Sequence, residues 1–198
     1  MDFANLPPRE IERIARLIPP GGWGVENTRP LSTLLGSCVA VCMYDVGMGI
    51  GGMNHFMLPV MQRRNNSDVD ALLAGDYCME ALLNALMKRG ARRGRLQAKA
   101  FGGGTIIEAL GQKALTIGKR NADFTQEWLD REGIPLVAAD FLGPWSRKLL
   151  FIPATGDAYC RKMVTSMATE ELIAKEQAYA RSLSQQFPSP PEKKIELF

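Results

Sequence analysis

A single histidine, His55, is the only imidazole in a chain of 198 residues, so chemistry that needs such a base must use this residue or a partner's. Four cysteines are too few for a disulfide scaffold and read as thiols. No apolar run approaches the ~18 residues that cross a bilayer. The N-terminus, Met1 to Pro8, lacks the basic start and apolar core of a secretory leader. The expectation is a cytoplasmic protein without membrane insertion. An excess of either charge is also missing. The 24 basic residues stand against 21 acidic ones, and the net +3 gives no case for nucleic-acid binding. No segment repeats at a period of about 20–50 residues, which excludes a solenoid. What is present is an ordinary globular composition, 46% hydrophobic and 23% charged, at a length that suits one domain with a sizeable core.

Residues 1–22 read as an N-terminal extension, with a short helix expected at Arg9 to Ile18 between two proline pairs. Residues 23–164 read as the compact unit. Cys38 to Tyr44 is a buried-strand pattern, and Ile50 to Leu58 is a second run that pairs with it as a hairpin. After a polar loop at Gln62 to Asp70, apolar residues from Cys78 to Met87 recur at helical spacing, and Gly90 ends that helix. Strands are expected at Leu96–Phe101 and Ile134–Ala139, with a helix at Asn121–Glu132 between them. Lys148–Ala154 and Ala158–Val164 form a last hairpin about Thr155-Gly156-Asp157. This pattern predicts α+β, a mixed or largely antiparallel sheet covered by helices. Residues 165–198 form a tail, a polar helix at Thr169–Gln186 and then a Pro-rich stretch, expected to be dispensable for chemistry.

The sharpest local feature is Leu34-Leu35-Gly36-Ser37-Cys38, followed 17 residues later by His55. With the hairpin turn centred between Val46 and Gly47, Cys38 falls directly opposite His55 on the same face, at a Cβ separation of about 4.5–5.5 Å. An imidazole at that distance can draw the thiol toward thiolate, the form that attacks a carbonyl carbon. Gly36 and Ser37 allow close approach and can turn backbone N–H groups toward an oxyanion. Ser32 or Thr33 could hold the ring. Spacing alone favours the plainer reading, a buried cysteine and a core histidine among Met53, Phe56 and Met57.

Other features carry less. Gly102-Gly103-Gly104 lacks the Lys-Ser/Thr of a phosphate loop, and reads as a strand-end turn. Asn121 reads as a helix N-cap. Cys38 and Cys42 are four apart, and one histidine cannot complete a usual zinc set, so neither a metal nor a cofactor is expected. Cys78 and Cys160 read as core thiols, and Arg92-Arg93-Gly94-Arg95 as a solvated loop.

The stretch Leu35 to Cys42, taken with Gly51-Gly52-Met53-Asn54-His55-Phe56-Met57-Leu58-Pro59, resembles CheD, the chemoreceptor glutamine deamidase family of bacterial and archaeal chemotaxis. Lys99 to Gly104, Ile117 to Asn121, Gly133-Ile134-Pro135, Asp140 and Arg147-Lys148 follow in the family's order, so the likeness covers about residues 23–164. The resemblance implies a layered α/β sandwich like that of the cytotoxic necrotizing factor deamidases. It implies deamidation of receptor glutamines to glutamate, and in some members hydrolysis of glutamate methyl esters. The family's nucleophile falls on Cys38 and its base on His55. Its third residue, a threonine six positions before the cysteine, falls on Ser32, so Ser32 is expected against the ring and Thr33 on the opposite face. The loop Phe141-Leu142-Gly143-Pro144-Trp145 departs from the family, which carries a glycine pair after the aspartate.

Two functions follow. The first is a protein-glutamine amidohydrolase, a glutaminase working through a cysteine thioester, with chemotaxis receptors as substrate. The second is a non-catalytic adaptor that binds receptors or a CheC-type phosphatase. A general cysteine peptidase is disfavoured because a single-domain length leaves little room for an extended peptide cleft.

Overall fold

The computed structural model describes residues 7–58, 67–105, 111–163 and 167–186. The Pro-rich stretch after Gln186 and much of the loop expected at Gln62–Asp70 lie outside them. In chain order the elements are α1 (Pro8–Ile14), β1 (Arg16–Leu17), β2 (Trp23–Glu26), β3 (Leu31–Leu35), β4 (Val39–Asp45), β5 (Ile50–Asn54), α2 (Ser67–Lys88), β6 (Gln97–Gly102), α3 (Gly111–Arg131), β7 (Leu136–Phe141), β8 (Ser146–Ile152), β9 (Asp157–Met163) and α4 (Met167–Gln186). The fold is α+β, as expected. The strands divide between two sheets, in the orders β1-β3-β8-β9 and β2-β5-β4-β6-β7. Each sheet is mixed, because β1–β3 and β6–β7 are parallel and the other pairs antiparallel.

Residue alternation along β4 explains the layering. Val39, Val41 and Met43 face one core, filled from α2 by Met79, Leu82 and Leu86 and from α3 by Phe124, Trp128 and Leu129. Cys38, Ala40, Cys42 and Tyr44 face a second core between the sheets, against Leu31, Leu35, Leu149 and Phe151. A strand buried on both faces reads as a continuous apolar run, which is what Cys38 to Tyr44 is. A third, small cluster of Ile11, Leu150 and Ile152 packs α1 on the outer face of the four-stranded sheet. Residues 7–22, set apart in the sequence as an extension, thus join the sandwich: β1 pairs with β3 and Ile18 is buried between the sheets.

The hairpin turn differs from expectation in one instructive way. A short 3₁₀ turn at Val46–Met48, closed by left-handed Gly49, centres the turn one residue later than the sequence suggested. Pairing therefore runs Cys42 to Met53 and Val39 to Phe56. The shift is two positions along the partner strand, so no side chain changes face. Cys38 and His55 still share the inter-sheet side, displaced from direct opposition.

Asp45 holds this turn. Its buried carboxylate accepts from Met48 N at 3.2 Å, from Arg92 N at 2.9 Å and from the Arg95 guanidinium at 2.9 and 3.1 Å. Asp45→Ala removes these hydrogen bonds to a charged acceptor, a cost of about 2 kcal/mol. The expected result is a thermal midpoint lowered by about 4–8 °C, read by calorimetry, with a smaller drop in Asp45→Asn. An unchanged midpoint would mean that the turn closes without the carboxylate.

Candidate active site

Between β3 and β4 the chain Gly36-Ser37-Cys38 sorts its backbone groups by partner. The carbonyls of Gly36, Ser37 and Cys38 accept from Gly104 N at 2.6 Å, Asn121 Nδ2 at 2.8 Å and Gly103 N at 2.8 Å. The N–H groups of the same three residues converge instead on one acceptor, the carboxylate of Glu176 on α4. Gly36 N and Cys38 N donate to Oε1 at 2.8 and 3.2 Å, and Ser37 N donates to Oε2 at 3.0 Å. The Ser37 hydroxyl adds a fourth donor at 2.7 Å. Fixed N–H groups that converge on one carboxylate, two of them on a single oxygen, are the kind of arrangement that stabilises a developing oxyanion.

Close backbone contact makes this loop rigid. Gly102 has φ +127°, and a Cβ there would lie 2.1 Å from the Cys38 carbonyl oxygen. At Gly118 on α3 a Cβ would lie 2.2 Å from the Gly103 oxygen. The glycine run is therefore both the end of β6 and the floor beneath the Cys38 loop. Asn121 is not a helix cap. It lies in the middle of α3, where its Oδ1 accepts from Leu58 N at 2.8 Å while its Nδ2 holds Ser37. Arg147 and Asp140 brace the next layer. The buried guanidinium bonds Asp140 at 3.0 Å and the Leu142 carbonyl, and Leu142 N donates to Gly102 O at 2.9 Å.

His55 follows the last residue of β5 and is wholly buried. Its backbone is clamped by the turn after Ile18: His55 N donates to Gly22 O at 3.0 Å, and Gly21 N donates to His55 O at 2.8 Å. Its Nδ1 lies 2.8 Å from the hydroxyl oxygen of Thr33. Ser32, the residue expected there, is not the partner. Leu31, Thr33 and Leu35 share the inter-sheet face of β3, whereas Ser32 pairs across to Leu150, which packs on the outer side with α1.

The tautomer follows from hydrogen counting. The Thr33 hydroxyl donates its one hydrogen to the Ile18 carbonyl at 2.8 Å, so toward Nδ1 it must accept. Nδ1 then carries the ring proton, and Nε2, buried and without a partner among the described residues, presents its lone pair. Burial depresses the imidazole pKa to about 4, against an opposing upward pull from Glu176 and the Ile18 carbonyl, so the ring is neutral near pH 7. Burial raises the Cys38 thiol well above its usual range, and the neighbouring Glu176 carboxylate raises it further. In this arrangement the pair is thiol and imidazole, not thiolate and imidazolium.

One ligand atom each from Cys38, His55 and Glu176 lie within 4.8 Å of one another, the one such trio among the described residues. Cysteine, histidine and carboxylate are zinc ligands by type. Here the Glu176 oxygens are already engaged by four donors from the Cys38 loop. Beside His55 a cavity of about 150 Å³ is walled by Ile18, Pro19, Leu34 and, from α4, Leu172. Of the other cysteines, Cys42 and Cys78 are buried and Cys160 is half-buried, all as free thiols.

Sequence reading brought Cys38 and His55 to this site, misplaced the ring-holding hydroxyl by one residue, and missed Asn121's role and Glu176 altogether. A signal for Glu176 existed. Leu172, Tyr179, Ala180 and Leu183 make an apolar stripe at helical spacing, and Glu176 interrupts it.

The model of a family described as CheD chemotactic sensory transduction matches residues 57–162. That match begins beyond Cys38 and His55. A Dechloromonas aromatica protein named "Probable chemoreceptor glutamine deamidase CheD 2" is 65% identical over all of both chains. A Burkholderia thailandensis protein of the same name is 41% identical over 91% of this chain and 92% of its own. A Cupriavidus metallidurans protein named "Probable chemoreceptor glutamine deamidase CheD" is 40% identical over 96% of this chain and 87% of its own. Among solved structures, the Bacillus licheniformis hypothetical protein YfiH aligns over 62% of this chain and 51% of its own, at 13% identity and a TM-score of 0.40.

Proposed function

Because the chain belongs to the CheD family, we propose that it is a protein-glutamine amidohydrolase that converts glutamines of chemotaxis receptors to glutamate. The observation that carries the reading is the meeting, in one buried spot, of the Cys38 thiol, the His55 ring and three converging backbone N–H groups. His55 Nε2 takes the thiol proton, and the sulfur attacks the side-chain carboxamide carbon. The carboxamide oxygen becomes an oxyanion held by the N–H groups of Gly36, Ser37 and Cys38. The imidazolium returns its proton to the departing nitrogen, and ammonia leaves with a thioester behind it. A water, deprotonated by His55, then attacks the thioester and releases glutamate and the thiol. The same steps with methanol as leaving group hydrolyse a glutamate methyl ester.

In this reading Thr33 is a positioning residue, which fixes the Nδ1–H tautomer so that Nε2 faces the sulfur. Ser32 has no part in it. Binding to a CheC-type phosphatase is a further proposal, tested by co-purification. The main test is mass spectrometry of receptor cytoplasmic fragments incubated with the protein. Glutamine-to-glutamate conversion at a few defined positions is the expected result, and receptors left chemically unchanged by a folded preparation would overturn it.

A further inference from the structure

Glu176 has the side chain that the proposed reaction produces. Its carboxylate sits where that reaction would leave a new one, on the N–H groups of Gly36, Ser37 and Cys38, and it is carried there by an α-helix. We infer that α4 is an intramolecular product mimic: it occupies the site in the resting protein, and a substrate helix must displace it before its glutamine can reach Cys38. This rests on the reading of Cys38 as nucleophile.

Three independent features support it. Glu176 is a buried acidic residue in the middle of an otherwise apolar stripe, with Leu172 and Leu183 buried on either side and Tyr179 and Ala180 packed on the inter-sheet core. A glutamate at such a place is costly unless its partners are specific, and these partners are the N–H groups that the chemistry needs free. The carboxylate also suits the cradle better than a carboxamide would. Both of its oxygens accept, whereas the amide nitrogen of a glutamine in the same pose would meet the Ser37 N–H as a second donor. Finally, Leu172 closes one wall of the cavity beside His55, so the same helix fills the cradle and covers the base.

The arrangement makes α4 and substrate competitors. The apparent affinity for substrate is lowered by the fraction of molecules in which α4 is docked. Weakening the dock should lower KM more than it alters kcat.

The experiment compares wild type with Glu176→Ala and Glu176→Gln in the full chain. Two readouts are followed: the rate at which iodoacetamide alkylates Cys38, and the kinetics of receptor-fragment deamidation. Both variants are expected to alkylate about tenfold faster or more, since access improves and the carboxylate that opposes thiolate is gone. Both should deamidate with a lower KM at similar kcat. Alkylation and KM unchanged in both folded variants would overturn the inference, as would a fall in kcat, which would make Glu176 part of the catalytic machinery. Calorimetry separates these outcomes from unfolding; if Glu176→Ala fails to fold, the near-isosteric Glu176→Gln decides alone. Failure of the underlying reading looks different: receptor deamidation that persists in Cys38→Ala.

Discussion

Cys38→Ala is expected to lose receptor deamidation to the limit of detection while keeping the native fold. The two halves of this expectation have separate causes. Catalysis fails because a methyl group cannot form the thioester, and the only other help, the N–H cradle, supplies at most about 10³–10⁴-fold over water by the precedent of triad enzymes stripped of their nucleophile. The fold survives because the loop is held by its backbone and not by its sulfur. The Gly36, Ser37 and Cys38 carbonyls keep their bonds to Gly104, Asn121 and Gly103 whatever the side chain. Loss of one buried sulfur costs about 1 kcal/mol, so the thermal midpoint should fall by no more than roughly 4 °C. Mass spectrometry of the receptor and calorimetry of the enzyme, on the same preparation, check both. A native, fully active Cys38→Ala protein would end the nucleophile assignment. A variant that binds receptors but leaves them unmodified separates an enzyme from an adaptor.

The parts of this site visible in the sequence are those fixed by period and turn. Cys38 and His55 were placed on one face by strand alternation, and that placement tolerated an error in the turn centre because the error amounted to two positions. What escaped depends on contacts distant in sequence. Residues 1–22 read as an extension, yet they provide the carbonyl of Ile18 and the clamp of Gly21 and Gly22 on His55, all through backbone groups. Asn121 looked like a cap because polar residues often start helices, and nothing local shows that α3 begins at Gly111. Glu176 lies 138 residues beyond Cys38, in a helix whose charged residues suggested a solvated tail. The single sheet expected from the strand pattern became two because β1, β3, β8 and β9 pair among themselves, a choice made by packing and not by propensity.

Thr33→Val should slow turnover by about 10²-fold with little change in KM, whereas Ser32→Ala should be close to wild type. The geometry gives the size of the difference. Valine keeps the shape of threonine but loses the hydroxyl oxygen that accepts from Nδ1–H and donates to the Ile18 carbonyl. A single neutral hydrogen bond is worth only about 0.5–1.5 kcal/mol in stability. The kinetic loss is larger because the bond selects a tautomer. Without it the proton can move to Nε2, and the ring then faces Cys38 with a donor where a base is required. Ser32 cannot substitute, since it lies on the opposite face of β3, across from Leu150. Thr33→Ser retains the oxygen and should recover most of the rate. A readout independent of rate comes from the ¹⁵N shifts of the one imidazole in the chain. Wild type should show a protonated Nδ1 and an unprotonated Nε2 near pH 7, and Thr33→Val a shift toward the other tautomer. If Ser32→Ala proves the more damaging change, or the ring is already protonated at Nε2 in wild type, the assignment of Thr33 as the residue that holds His55 fails.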